Sequence, residues 1–196
     1  NLDFINYQKK ENLNFEILIS GNKISDKNYL IKKFFLKEND NKIEILDLVL
    51  TNNKIDKFEI INFDYLDKDN LQNKFKISKN DKIYILNGDN LNLNKIIEEV
   101  LVLNSKKKIN LFKNNFKLDI NVKEVYLDKN NITKNLNGYL LIIKNKIIDA
   151  NLISSFSDQK KIKLTIIKKD NHTVTTLYSD KAKPFVKRYK FIKGFE

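Results

Sequence analysis

The feature that most constrains this chain is a repeated alternation of short apolar runs with clusters of Asn, Asp and Lys. Runs of four to eight residues rich in Ile, Leu, Val, Phe and Tyr, punctuated by turn-forming polar residues, are the pattern of β-strands. The run Phe15-Glu16-Ile17-Leu18-Ile19-Ser20-Gly21 reads as a strand ending in a glycine. Further strands are expected at residues 57–63, 82–86, 100–103, 108–112 and 140–148. The last third reads as a hairpin or meander, with strands at 161–168 and 173–178, a turn at 169–172 and a final strand at 185–192.

Helix competes with strand in places. Residues 42–50 carry apolar side chains at 43, 46, 49 and 50, with Glu44 and Asp47 on the other side, which is helical spacing. Residues 29–36 fit a strand, or a short helix capped near Ser25. Residues 64–73 read as a polar helical turn or loop, 92–99 as a short helix, and 118–127 as either element. Asn52-Asn53 and Asn80-Asp81 are the candidate turn positions, because Asn and Asp accept the left-handed backbone conformation more readily than other residues with a side chain. A strand, turn, strand, short helix and Asn-Asn turn recur from residues 15–55 to 99–132, an arrangement that reads as an internal repeat. The expected fold class is therefore α+β and strand-rich, in three parts. Residues 1–86 and 87–154 form tandem units with short helices, and residues 155–196 form a basic C-terminal β segment.

Composition removes several chemistries. There is no Cys, and so no disulfide, thiolate metal site or cysteine nucleophile. With no Met, the chain is expected to be a trimmed or mature piece of a longer protein. The longest apolar stretch, Tyr139-Leu140-Leu141-Ile142-Ile143, is far short of the roughly 20 residues of a membrane helix, so no membrane span is expected. Gly21, Gly88, Gly138 and Gly194 are isolated, so no glycine-rich loop can cradle a phosphate. His172 stands alone in a turn, without a second His or Cys to complete a zinc site. Asp64, Asp67 and Asp69 read as a loop whose carboxylates cap local amides rather than hold a cation. No catalytic residue, cofactor or metal is expected.

The net charge of +12 invites a nucleic-acid reading, but Arg188 is the only arginine among 37 basic residues. Base-edge readout and tight phosphate forks lean on the planar guanidinium, which Lys lacks. The skew toward Asn, Lys, Ile, Phe and Tyr is what an AT-rich genome imposes on any protein, so the charge implies only weak polyanion affinity. It is also uneven: basic residues crowd into 160–193, where Asp170 and Asp180 are the acids. Lys187, Arg188, Tyr189 and Lys190, flanked by Phe185 and Phe191, are the candidate contact for a polyanion or partner. An edge strand whose lysines face water and discourage sheet-to-sheet aggregation is the favoured reading of the same residues.

One stretch resembles a known family. Residues 61–66 followed by Asn70-Leu71-Gln72-Asn73-Lys74-Phe75-Lys76-Ile77-Ser78-Lys79-Asn80-Asp81-Lys82-Ile83-Tyr84-Ile85 resemble the closing segment of SLBB domains, the β-grasp modules of bacterial polysaccharide export proteins. Asn80-Asp81 stands where the family has Gly-Asp, and Asn52-Asn53 where a helix normally ends in Gly-Gly. Phe15 to Phe35 also resembles the start of a POTRA domain. The SLBB resemblance implies tandem β-grasp units in a periplasmic or cell-envelope protein. It further implies a non-enzymatic role through subunit contacts, with a homo-oligomer or other envelope proteins as partners and polysaccharide as a ligand. The alternative is a lysine-rich protein of a nucleoprotein assembly in a cytoplasm or organelle, motivated by the charge.

Overall fold

The computed structural model describes residues 5–10, 12–81, 83–94, 111–169 and 172–185. Most of these residues lie in strands: β1 (Glu16–Ser25), β2 (Asn28–Glu38), β3 (Asn41–Thr51), β4 (Lys54–Lys57), β5 (Ile60–Leu66) and β6 (Gln72–Asn80). They continue as β7 (Ile83–Asn92), β8 (Phe116–Asp128), β9 (Asn131–Ile143), β10 (Lys146–Ser155), β11 (Lys161–Lys169) and β12 (His172–Ser179). All belong to one 12-stranded sheet in the order β1-β2-β3-β5-β6-β7-β8-β9-β10-β11-β12, with β4 also on β3. Neighbours are antiparallel except β7 and β8, which run parallel from Ile83 opposite Lys117 to Asn92 opposite Tyr126. The returning crossover is held to β4, where the Ile55 amide donates to the Leu111 carbonyl and the Lys113 amide to the Ile55 carbonyl.

The expected α+β class, with tandem β-grasp units and short helices, is overturned by this sheet. Among the described residues helix is limited to isolated turns, such as residues 183–185, and no strand–helix–strand unit forms. Residues 42–50 show why the helical spacing misleads. They are the body of β3, but Asp47 takes a φ of 50° and the Lys32–Asp47 pair drops out of the β2–β3 ladder. The side of the strand that meets the core therefore changes from Ile43 and Ile45 to Leu48 and Leu50. A period of two, broken once, imitates a period near 3.6. Residues 118–127, open between helix and strand on sequence alone, lie within β8.

The hairpin turns explain how so many strands form with so little glycine. Asn52 and Asn53 link β3 to β4 with φ values of 51° and 59°, and Lys144 and Asn145 link β9 to β10 with 50° and 58°. Two positive φ values in a two-residue loop match the right-handed twist of the flanking strands. Asn80 closes β6 opposite Ile83 of β7, and Asp81 beside it has a φ of 51°. The Asn52-Asn53 site is thus a turn between strands, not the end of a helix.

One face of the sheet is apolar along its whole width. Cross-strand partners Ile19, Phe34, Ile45, Ile61, Ile77, Leu86, Ile120, Gly138, Leu152, Leu164 and Leu177 form a single row across the eleven strands of the path. Only Gly138 interrupts it. Its φ of 141° and the closeness of the Asn151 carbonyl oxygen leave no room for a Cβ. The opposite face is polar, with pairs such as Lys33–Glu44 at 3.3 Å and Lys123–Asp89 at 2.8 Å.

The apolar row gathers into two cores. The first joins Leu36, Ile43, Leu48, Phe58, Ile61, Phe63 and Tyr65 with Tyr7 from the segment before β1. The second joins Leu86 and Leu91 of β7 with Ile120, Val122, Val125 and Leu127 of β8, Leu136, Phe156, Ile162 and Phe185.

Candidate apolar binding cavity

The second core encloses a partly open cavity of about 140 Å³. Every strand from β7 to β12 contributes to its wall, from Leu86 on β7 to Leu177 on β12, and Phe185 closes one side. Five strand spacings would separate Leu86 from Leu177 by about 24 Å in a flat sheet. Both line one small cavity, so this half of the sheet curls around it. The described wall is almost wholly aliphatic, and among the described residues Thr133 and Ser154 are those with a polar side chain. Ser154 donates its hydroxyl to the Lys134 carbonyl at 2.9 Å, whereas Thr133 Oγ1 is buried without a partner among the described residues.

Such a space has an energetic meaning. Packing losses grow by roughly 24 cal/mol per Å³ of void, so an empty space of this size forgoes about 3 kcal/mol. A void of comparable size lined by Leu, Ile and Phe stays dry and binds small apolar molecules. Among the described residues, the wall offers no carboxylate, imidazole, amine or amide side chain. Its described surface suits apolar contact, and the hydroxyls of Thr133 and Ser154 have no His, Lys or carboxylate beside them among the described lining residues.

The polar groups that could rival the cavity have structural work instead. Glu38 is fully buried. It accepts hydrogen bonds from the Tyr7 hydroxyl at 2.7 Å, the Lys10 amide at 2.8 Å and Asn41 Nδ2 at 3.2 Å. Burial pushes this carboxyl up, but its donors outweigh that and hold it below the ordinary carboxyl value. Tyr7 moves the opposite way, its phenol raised first by burial and then by Glu38. The cluster pins the segment before β1 onto β2. Asp67, buried after β5, accepts from the amides of Asp69 and Leu71 at 2.8 and 3.0 Å. Asp69 pairs with Lys129 and Asp64 with Lys74. Among the described residues no group of three His, Cys, Asp or Glu side chains is placed to hold a metal ion.

The residues singled out from sequence are not brought to the cavity. Asn52, Asn53, Asn80 and Asp81 lie in turns at strand ends. The strand expected at 100–103, most of the strands expected at 108–112 and 185–192, most of the helix expected at 92–99, and the contact Lys187, Arg188, Tyr189 and Lys190 lie outside the described residues. His172 is exposed at the start of β12. Sequence reasoning misses the cavity itself, because Leu and Ile at core positions read alike whether the space between them is full or empty. Comparison of the chain with protein-family models, with curated proteins and with solved structures gives no match.

Proposed function

We propose that this chain is a non-enzymatic binding module that takes up the end of the hydrocarbon tail of an amphiphile, of the fatty-acyl kind, in the cavity of β7 to β12, the rest of the tail leaving through its open side. One observation carries the reading: a cavity of about 140 Å³ whose described wall is aliphatic apart from Phe185 and two hydroxyl-bearing residues. An acyl tail asks of its site only that water be excluded and dispersion contacts supplied, and such a wall supplies both. A polysaccharide asks for many hydrogen-bonding groups, which this wall lacks. The setting in which we place the module is a cell envelope, where acylated molecules are concentrated. The polysaccharide-export role drew on β-grasp units, and the chain forms a continuous sheet instead.

Displacement of a fluorescent fatty acid, backed by native mass spectrometry, tests the reading. Saturable one-to-one binding is expected for fatty acids of increasing chain length, with none for soluble oligosaccharides. Leu140, in the wall, gives the control. Leu140→Phe places a ring where the tail would lie and should weaken binding at least tenfold. Absence of saturable binding to any acyl chain overturns the proposal.

A further inference from the structure

The apolar row does not stop at the first core. It runs on to β1, where all ten residues are exposed. Ile17 and Ile19 continue the core-facing side, opposite Leu36 and Phe34 of β2, and are 50% and 62% exposed. Leu18 on the other side is 46% exposed. β1 is also the last strand of the sheet path at this end, so one row of its backbone amides and carbonyls has no strand beside it among the described residues. Soluble proteins blunt such edges with lysines, prolines, short strands or a covering element. Here the stretch from Phe15 to Ser20 holds a single charge, Glu16, and no proline.

We propose that β1 is a strand-addition edge whose occupant is β1 of a second copy of this chain, antiparallel and centred on Leu18. The argument is self-complementarity. Centred there, Leu18 faces Leu18, Ile17 faces Ile19, and Glu16 faces Ser20. Phe15 comes opposite Gly21, whose lack of a side chain leaves space for the ring. A two-fold axis perpendicular to the sheet keeps Ile17 and Ile19 of both copies on one side, so the apolar faces of the copies join. Cross-strand apolar pairs of this kind are what stabilise antiparallel ladders, and like charges directly opposite destabilise them. A parallel in-register pairing sets Glu16 against Glu16 and Lys23 against Lys23. An antiparallel pairing shifted to join Glu16 with Lys23 puts Ile17 opposite Asn22 and Leu18 opposite Gly21, and so loses the apolar pairs. The resulting contact is isologous and closes as a dimer.

The absence of cysteine allows a clean test of register. Leu18→Cys is expected to oxidise to a covalent dimer under mild conditions, since directly opposed residues in an antiparallel pair lie within disulfide reach. Lys23→Cys should stay monomeric, because this register puts the two copies of position 23 at opposite ends of the paired strands. Sedimentation equilibrium of the unmodified chain should show a reversible dimer, and Ile17→Lys with Ile19→Lys should raise its dissociation constant at least tenfold. Both substitutions fall on exposed positions, and retained circular dichroism excludes misfolding as the cause. A monomer at all concentrations, a head-to-tail polymer through β12, or equal cross-linking at positions 18 and 23 overturns the proposal.

Discussion

In the first half of the sheet the apolar face is filled by rings, and in the second half it is lined by aliphatic side chains around a hollow. Phe58 stacks on Tyr84 with ring centroids 4.5 Å apart, Phe63 lies 4.7 Å from Phe75, and Tyr7 meets Tyr65 edge-on at 5.7 Å. Tyr84 and Phe112 both pack on Phe116, extending the same ring cluster into the returning crossover. From β7 to β12 the equivalent row is Leu and Ile apart from Gly138, and the buried phenylalanines of this core, Phe156 and Phe185, come from a loop and a helical turn rather than strands. The backbone plan is shared and the volume of the side chains differs. Large rings let one curled layer fill its own interior, whereas Leu and Ile on the same layer leave space. A single sheet thus carries a filled core and a hollow one side by side.

Truncation should separate the halves most sharply. Phe63→Ala removes a ring locked between Tyr65 and Phe75 and should cost about 4 kcal/mol of stability, read as the urea midpoint. Leu152→Ala in the cavity wall enlarges a space that already exists, and should cost about 2 kcal/mol. Equal losses at the two positions would break the comparison. Enlargement should show the reverse. Ile43→Phe forces a ring into a filled core and should cost about 1–3 kcal/mol. Leu140→Phe should leave the midpoint within about 1 kcal/mol of the parent, because the cavity receives the added volume.

These two cores also mark how far the sequence can be read. The strand runs around Ile17, Ile60, Ile85 and Leu164 announce themselves by composition, since β-branched and aromatic residues favour the pleated surface. The single strand expected at 140–148 is instead cut by the Lys144-Asn145 turn into the end of β9 and the start of β10. Asn52-Asn53 is equally legible as a turn, because its chemistry is local. β3 is not, because the face switch at Asp47 depends on a pairing with β2 that no window of sequence contains. The parallel junction of β7 and β8 is hidden for the same reason: its partners, such as Leu86 and Ile120, are joined through a long crossover. The cavity lies deepest. It is a property of the space between six strands, and no residue on its wall differs in type from an ordinary core residue.

Acid should act on the filled half first. Glu38 is held below the ordinary carboxyl value in the folded chain, so its contribution is complete above the ordinary carboxyl range. That contribution is lost as the pH falls through the folded value. Tyr7 is raised by burial and by Glu38, so its share is complete at neutral pH and lost only as alkali ionises the phenol. Thermal melts from pH 7 downward should show a falling midpoint that flattens in Glu38→Gln. Tryptophan is absent, so tyrosine near-UV circular dichroism, weighted to Tyr7, Tyr65 and Tyr84, follows the first half. An acid limb unchanged by Glu38→Gln would show that this clamp does not set the pH response.

A small effect is expected at Thr133, whose Oγ1 lies in the cavity wall and, like Asn94 Oδ1 beyond β7, has no partner among the described residues. Thr133 is 1% exposed and its Oγ1 has no hydrogen-bond partner among these residues, so folding strips water from a hydroxyl and returns nothing for it. Thr133→Val keeps the branched shape and removes the orphan, and should raise stability by about 1 kcal/mol. In a filled core the same exchange would be read only as better packing. Here the aliphatic wall becomes more uniform without losing volume, so acyl-chain affinity should hold or rise slightly while the melting midpoint increases. A lower midpoint in Thr133→Val would mean that the hydroxyl is satisfied in solution by water inside the cavity. The second half would then be a hydrated space rather than the dry counterpart of the first.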